Sequence, residues 1–380
     1  MTLRLLGDAV FETLLLALDT LLPSSWSRAL LPRADHFPPH ARINFEGYYT
    51  RIHCDNDDSI ILITSSVPTA KQEGLPYFVH CSYAPAVTNN ATASFRADAF
   101  PQHMQVTRDA QLKNGVVPFT LDFGQTGSYS VGDEQQSYHL SFPDGTKVTV
   151  NITQRQPLFS EDPLKTPHGI FARLVHLLPL HWEIFSPQGR ASYEVSKNGQ
   201  VLTKGQGTAH IEKNWGVSFP SGWTWSQGFT QDRQVSYALA GGHILGNKAM
   251  MLVLKTPKFT WSFKPIWTIS VLGLSLGFSE QYDNKKGELS VSVNDAFRKV
   301  TVNVKSNQPL DEWTYLHCPM ATGHNNTTAW ETFQAVSKIQ VYQRSLPFAP
   351  WQPREAIDMP ASCCLEFGGT YSSLESKKSV

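Results

Sequence analysis

The stretch Lys147-Val148-Thr149-Val150-Asn151-Ile152 returns as Lys299-Val300-Thr301-Val302-Asn303-Val304, and each copy runs on to a Gln-Pro pair, Gln156-Pro157 and Gln308-Pro309. In both copies apolar and polar residues alternate, the period of a strand with one buried face and not of a helix. Their first residues, Lys147 and Lys299, stand 152 positions apart, which is about one domain length and points to a duplicated β unit.

The same texture fills most of the chain. Short alternating or apolar runs recur at 48–54, 59–67, 77–84, 104–109, 115–123, 137–143 and 146–154, and again at 190–197, 200–212, 222–229, 235–245, 250–263, 287–294, 298–305 and 338–344. This is the strand spacing of sandwiches and barrels. Asp144-Gly145 and Asn198-Gly199 read as tight hairpin turns, because such pairs tolerate positive φ. With 380 residues the chain is long enough for two units of roughly 150–200 residues. The expected fold is all-β: two tandem antiparallel barrels, the first over 45–175 and the second over 176–380, divided in the Pro-containing stretch before His181.

Only the beginning reads as helix. Over residues 2–22, Leu3, Leu6, Val10, Leu14, Leu18 and Leu21 share one face, with Arg4, Asp8, Glu12 and Asp19 opposite. Pro23 ends this amphipathic segment, placed at 1–24, and Pro32, Pro38 and Pro39 mark an irregular connector over 25–44. The acids exclude a membrane span and a good secretory signal. The helix either packs on the folded body or lies on a membrane surface, where its acidic polar face would be disfavoured by anionic lipid.

Composition narrows the partners. The 32 basic side chains balance 32 acidic ones, so no basic surplus marks a nucleic-acid surface. Cys54, Cys81, Cys318, Cys363 and Cys364 show no zinc-ligand spacing and read as reduced thiols, with one disulfide still open. The expected compartment is therefore reducing, cytoplasmic with possible membrane association, and no metal or cofactor is expected. Ten Trp supply ample apolar surface for aromatic cores or for a lined cavity.

One constellation is more specific. Glu212-Lys213-Asn214-Trp215-Gly216, then Phe219-Pro220, then Trp223-Thr224-Trp225-Ser226-Gln227 resembles the signature of the tocopherol cyclase family. Phe45-Glu46-Gly47-Tyr48-Tyr49, Pro179-Leu180-His181-Trp182-Glu183-Ile184, Ala240-Gly241-Gly242, Lys338-Ile339-Gln340-Val341-Tyr342 and Glu366-Phe367-Gly368-Gly369 are similar to further pieces of it. Tyr48 stands where the plant members have Trp, and the first residues are unlike a plastid transit peptide. The resemblance implies tandem lipocalin-like barrels, the second carrying both signature motifs. It also implies an apolar ligand, a prenylated quinol or another lipid, with no cofactor.

The family reaction closes a phenol oxygen onto a prenyl alkene. It needs an acid shielded from water, a folded tail and aromatic faces near the developing cation. Trp223, Trp225 and Gln227 alternate on one strand face, giving two indoles and an amide for the ring and its polar head. Trp215, His210 and Tyr48 join them as ligand-lining candidates. Glu212, His181 and Glu46 are the candidate catalytic groups, each with a structural alternative. Glu212 could pair with Lys213, His181 could be a satisfied core histidine, and Glu46 could be a carboxyl with a raised pKa or a partner of Arg51. Gly273-Leu274-Ser275-Leu276-Gly277 matches a hydrolase elbow, but a polar segment follows where a helix would be required. Two classes stand: a cyclase or isomerase of an apolar prenylated or polyunsaturated substrate, and a non-catalytic lipid carrier.

Overall fold

In the computed structural model the described residues run from 36 to 373, apart from 42, 71–73, 87–93, 110–115, 161–165, 169–178, 218, 245, 266–267, 272–273 and 325–326, with Leu14 alone described ahead of them. The expected helix over 2–22 therefore lies outside the described residues. The rest is all-β, with short 3-10 turns at Gly124–Thr126 and Leu310–Glu312.

The first sheet comprises β1 (Phe45–Cys54), β2 (Ser59–Ser66), β3 (Tyr77–Ala84), β4 (Phe95–Ala99), β5 (Gln105–Arg108), β6 (Phe119–Asp122), β7 (Gly127–Val131), β8 (Gln136–Ser141), β9 (Thr146–Gln156), β10 (Leu180–Lys197) and β11 (Gln200–Gly216). The second comprises β12 (Gly222–Phe229), β13 (Ser236–Ile244), β14 (Asn247–Lys255), β15 (Thr260–Phe263), β16 (Ile269–Val271), β17 (Leu274–Leu276), β18 (Phe278–Asp283), β19 (Glu288–Asn294), β20 (Arg298–Ser306), β21 (Thr314–His317), β22 (Thr327–Gln343) and β23 (Gln352–Gly369). Each sheet is a curled meander whose first and last strands pair, β1 with β11 and β12 with β23, and whose edges are strands adjacent in sequence, β4 and β5 or β17 and β18. This ring-like pairing leaves short edges and gives each sheet a barrel-like form.

The sequence echo marks equivalent places in the two rings. Its copies are β9, between β8 and β10, and β20, between β19 and β22. Val148, Val150 and Ile152 enter the first core, while Val300, Val302 and Val304 enter the second. Asn198 and Gly199 both have positive φ, at 51° and 84°, so the β10–β11 hairpin is the expected two-residue turn. Asp144-Gly145 differs: only Gly145 is positive, at 83°, and Phe142 bonds Thr146 across a three-residue loop. The run expected over 250–263 breaks into β14 and β15, where Thr256 Oγ1 accepts from the Lys258 and Phe259 amides.

The division of the chain differs from the expected boundary at 175/176. One compact unit holds 1–83, 92–219 and 319–325, and the other holds 84–91, 220–318 and 326–380. Strands β10 and β11 close the first ring by pairing with β9 and β1, so the 212–216 motif belongs to the first sheet and not to the second. A pairing between Phe45 and Gly216 is invisible to any local reading of composition.

The interior of the first sheet is filled by aromatic side chains. Tyr129 stacks on Tyr138 with ring centroids 4.4 Å apart, and Tyr48 and Phe119 pack against Tyr129. Phe37, from the connector, stacks on Phe185 at 3.8 Å. All five cysteines are free and buried, and burial pushes the Cys54 thiol up to about 12. Among the described residues no helix is long and apolar enough to cross a membrane.

Candidate functional site

The nine residues singled out from sequence fall into three places. Successive residues of a strand face opposite sides of its sheet, so the register assigns each of them a face.

Glu46, Tyr48, Trp215 and His181 share the inner face of the first sheet, since Trp215 pairs with both Glu46 and His181 and Lys213 pairs with Tyr48. There the Glu46 carboxylate bonds Lys213 Nζ at 2.7 Å and His40 Nδ1 at 2.7 Å. Lys213 Nζ also donates to the carbonyls of His36 and Pro38, each at 2.7 Å, and lies 5.1 Å from the Tyr48 ring. His181 stacks on Trp215 at 5.0 Å. Glu46 is therefore not the high-pKa acid considered above. Burial alone would raise its carboxyl, but the Lys213 ammonium and the His40 bond outweigh that and hold it below its ordinary value. Burial and the Lys213 charge lower the His40 imidazole in turn. Nor does Glu46 pair with Arg51, which lies on the other face and is fully buried beside Ser59.

His210 and Glu212 stand on that other face. Glu212 accepts from the Trp182 indole at 2.8 Å and lies 2.6 Å from His210 Nε2. It does not pair with Lys213, because neighbouring strand residues point to opposite sides. A hydrogen-bonded array that the sequence reading missed lies on the same side of β3: His80 bonds Asp98 at 2.7 Å and Ser82 at 3.0 Å. Against the upward push of burial, His80 and Arg96 hold the Asp98 carboxyl at about 2. Ser82 is 1% exposed and the Asp98 side chain 21%, so the array braces a buried histidine against a partly exposed carboxylate. The hydrolase-like Ser275 sits in the strand Leu274–Leu276, paired antiparallel with β16, and not on a strand-to-helix elbow.

Trp223, Trp225 and Gln227 do alternate on one face of β12, but that face looks away from the second core. The core-facing row is Thr224, Ser226 and Gly228, paired with Gly241, Leu239 and Tyr237, of which Leu239 and Tyr237 line the core. Sequence periodicity groups the three residues correctly, yet cannot say which side of the sheet becomes the interior. The expectation of a wall inside a barrel cavity is corrected accordingly.

The outer face is built from small, aromatic and acidic residues. Across β13 the three residues meet Gly242, Ala240 and Ala238, and beyond these stand Ala249, Met251 and Val253 of β14. On the other side they meet Gly368, Glu366 and Cys364 of β23, and Glu366 in turn faces Glu331 of β22. The Trp223 indole N–H donates to Glu366 Oε1. A Cβ on Gly368 would sit 1.9 Å from the Trp223 ring, so glycine there is what lets the indole lie against β23. Glu331 is fully buried, whereas Glu366 and Ala240, on either side of Trp225, keep partial exposure. Trp223 and Trp225 are themselves buried, at 5% and 8% exposure, so the row combines covered indole rings with a carboxyl at a partly exposed position. Glu366 and Glu331 were missed as site residues. Glu366 stands in the Glu366-Phe367-Gly368-Gly369 piece of the family resemblance, and the glycines at 242 and 368 imply a bulky neighbour without naming it.

CghA is 8% identical, with a TM-score of 0.56 over 90% of this chain and 98% of its own; at that identity the match shows the fold alone. Kievitone hydratase from Nectria haematococca is 10% identical over 90% of this chain and 94% of its own, with a TM-score of 0.49, too low to carry weight. No curated protein sequence matches the chain. The tocopherol cyclase-like family profile matches residues 160–369, more than half of the chain, and spans both signature motifs and β22 and β23. The chain belongs to the tocopherol cyclase-like family.

Proposed function

We propose that this protein is an acid-assisted cyclase or isomerase of an apolar, prenylated substrate, and that the substrate lies on the outer face of the second sheet. One observation carries the reading: Trp223 and Trp225 stand on one strand face beside the Glu366 carboxyl, which the Trp223 indole N–H holds in place. Membership of the tocopherol cyclase-like family supports the reaction class.

The chemistry follows from those parts. Glu366 gives a proton to the trisubstituted alkene, forming a C–H bond and a tertiary cation. The indole faces stabilise that cation by about 0.5–2 kcal/mol each. A phenol oxygen of the same molecule attacks the cation, and its proton returns to the carboxylate. The net change is an isomerisation needing no external reductant or oxidant. Holding the tail folded over the strip supplies the proximity that the closure requires.

The test is turnover of a panel of prenylated hydroquinones, read as a product of unchanged mass and altered retention. The Glu366→Gln variant is expected to lose roughly 100-fold or more in kcat while still binding the hydroquinone. Binding without turnover across the whole panel would replace this reading with that of a carrier.

A further inference from the structure

The loop between β22 and β23, Arg344-Ser345-Leu346-Pro347-Phe348-Ala349-Pro350-Trp351, carries one cation and no acid. Its large apolar side chains stand in solvent: Phe348 is 98% exposed and Leu346 66%, while the Ala349 amide donates to the Leu346 carbonyl at 3.1 Å and closes the turn that presents them. The turn between β19 and β20 adds Phe297, 46% exposed. Arg344 ties the two turns together. Its amide donates to the Phe297 carbonyl at 3.0 Å and its Nε to the Ala296 carbonyl at 2.7 Å, and its guanidinium lies 4.0 Å from the partly exposed Trp351 ring. Exposed apolar residues scattered singly are ordinary, but several held at one tip mark a surface that meets something.

Positive charge surrounds this tip. Besides Arg344 there are Lys299, whose Nζ lies 5.4 Å from the Tyr342 ring, and the exposed Arg354 at the start of β23. The acids close by are Asp295, which Arg298 Nε holds at 2.7 Å, and the partly exposed Glu355. With Asp295 matched by Arg298, three cations face one acid. We propose that these two turns dock the protein on an anionic lipid bilayer, with Phe348, Leu346 and Phe297 entering the boundary between headgroups and acyl chains. Arg344, Lys299 and Arg354 stay among the lipid phosphates, and Trp351 lies at headgroup depth, where indoles are favoured. Side chains raised on two hairpin turns suit a yielding lipid phase better than a protein partner, whose interface needs a broad matched surface. This contact is separate from the one considered for residues 2–22, and it stands whether the protein turns its ligand over or carries it.

Co-sedimentation of the full chain with vesicles tests it, using phosphatidylcholine alone and phosphatidylcholine mixed with phosphatidylserine. The wild type is expected to bind the mixed vesicles about ten-fold or more tightly than the neutral ones, and to lose that advantage as salt is raised. The double variant Leu346→Ser, Phe348→Ser is expected to bind the mixed vesicles at least about ten-fold more weakly. Its melting temperature should match the wild type, because both side chains are exposed. Lys299→Gln with Arg354→Gln should lower binding to the mixed vesicles alone. No binding by the wild type, equal binding to the two kinds of vesicle, or full binding by the serine variant overturns the inference; the last result would move the contact to another part of the chain. A wild type that ignores vesicles but self-associates in sedimentation velocity, and stops doing so in the serine variant, also overturns it in favour of a contact between copies.

Discussion

The inner end of the first sheet and the outer face of the second both bury polar side chains, and they treat them in opposite ways. Inside the first sheet Lys213 reaches Glu46 and the carbonyls of His36 and Pro38, and Glu46 also holds His40. On the outer face of the second sheet Gln227 keeps an unmatched oxygen beside two indoles. The first arrangement uses its polar groups to fasten the connector over the sheet. The second leaves a buried acceptor unmatched. Burial of a polar residue is therefore a poor guide to a site unless its bonding is counted as well.

The largest expected effect tests the fastening. Lys213→Met leaves Glu46 buried without its cation and should cost about 3–5 kcal/mol, seen as an earlier midpoint in urea; a loss under about 1 kcal/mol would remove the structural half of the comparison. Next comes Gly368→Ala, whose Cβ would strike the Trp223 ring. Overpacking of this kind costs about 1–3 kcal/mol, and the displaced indole should also weaken hydroquinone binding measured by calorimetry.

Acid should loosen the first cluster gradually. His40 and Glu46 are both held below their ordinary values of 6.5 and 4.5, so the unfolded chain binds protons more readily than the folded one. Their contribution is complete above pH 6.5 and is lost as pH falls, first through the His40 window and then below 4.5. Thermal melting across that range checks it, and a melting temperature that rises on acidification contradicts the sign. The smallest effect is expected at Gln227→Leu, where removing an unmatched amide should leave stability unchanged or raise it by up to about 1 kcal/mol, the opposite direction to Lys213→Met. A clear loss in urea would mean that Gln227 is structural.

Much of the fold was legible because strand periodicity is local. The alternation in 147–152 and 299–304 located equivalent strands before any pairing was known, and Asn198-Gly199 named its own turn. Trp223, Trp225 and Gln227 were grouped correctly for the same reason. Glu212 and Lys213, by contrast, are adjacent and so face opposite sides, a consequence of the same period that a proposed pairing between them overlooks. The carboxyl most relevant to the proposed chemistry, Glu366, lies 141 positions from the Trp225 it faces, and no local pattern connects them.

The sequence by itself determined the all-β character, the duplication and the alternating row of indoles, since each depends on spacing along one strand or on a repeat. Only the tertiary structure decided that β10 and β11 complete the first ring, that Lys213 neutralises Glu46, and that the indole row looks outward beside Glu366. Those outcomes depend on which distant strands pair. A period of two groups residues by face but leaves open which face the pairing turns toward the core.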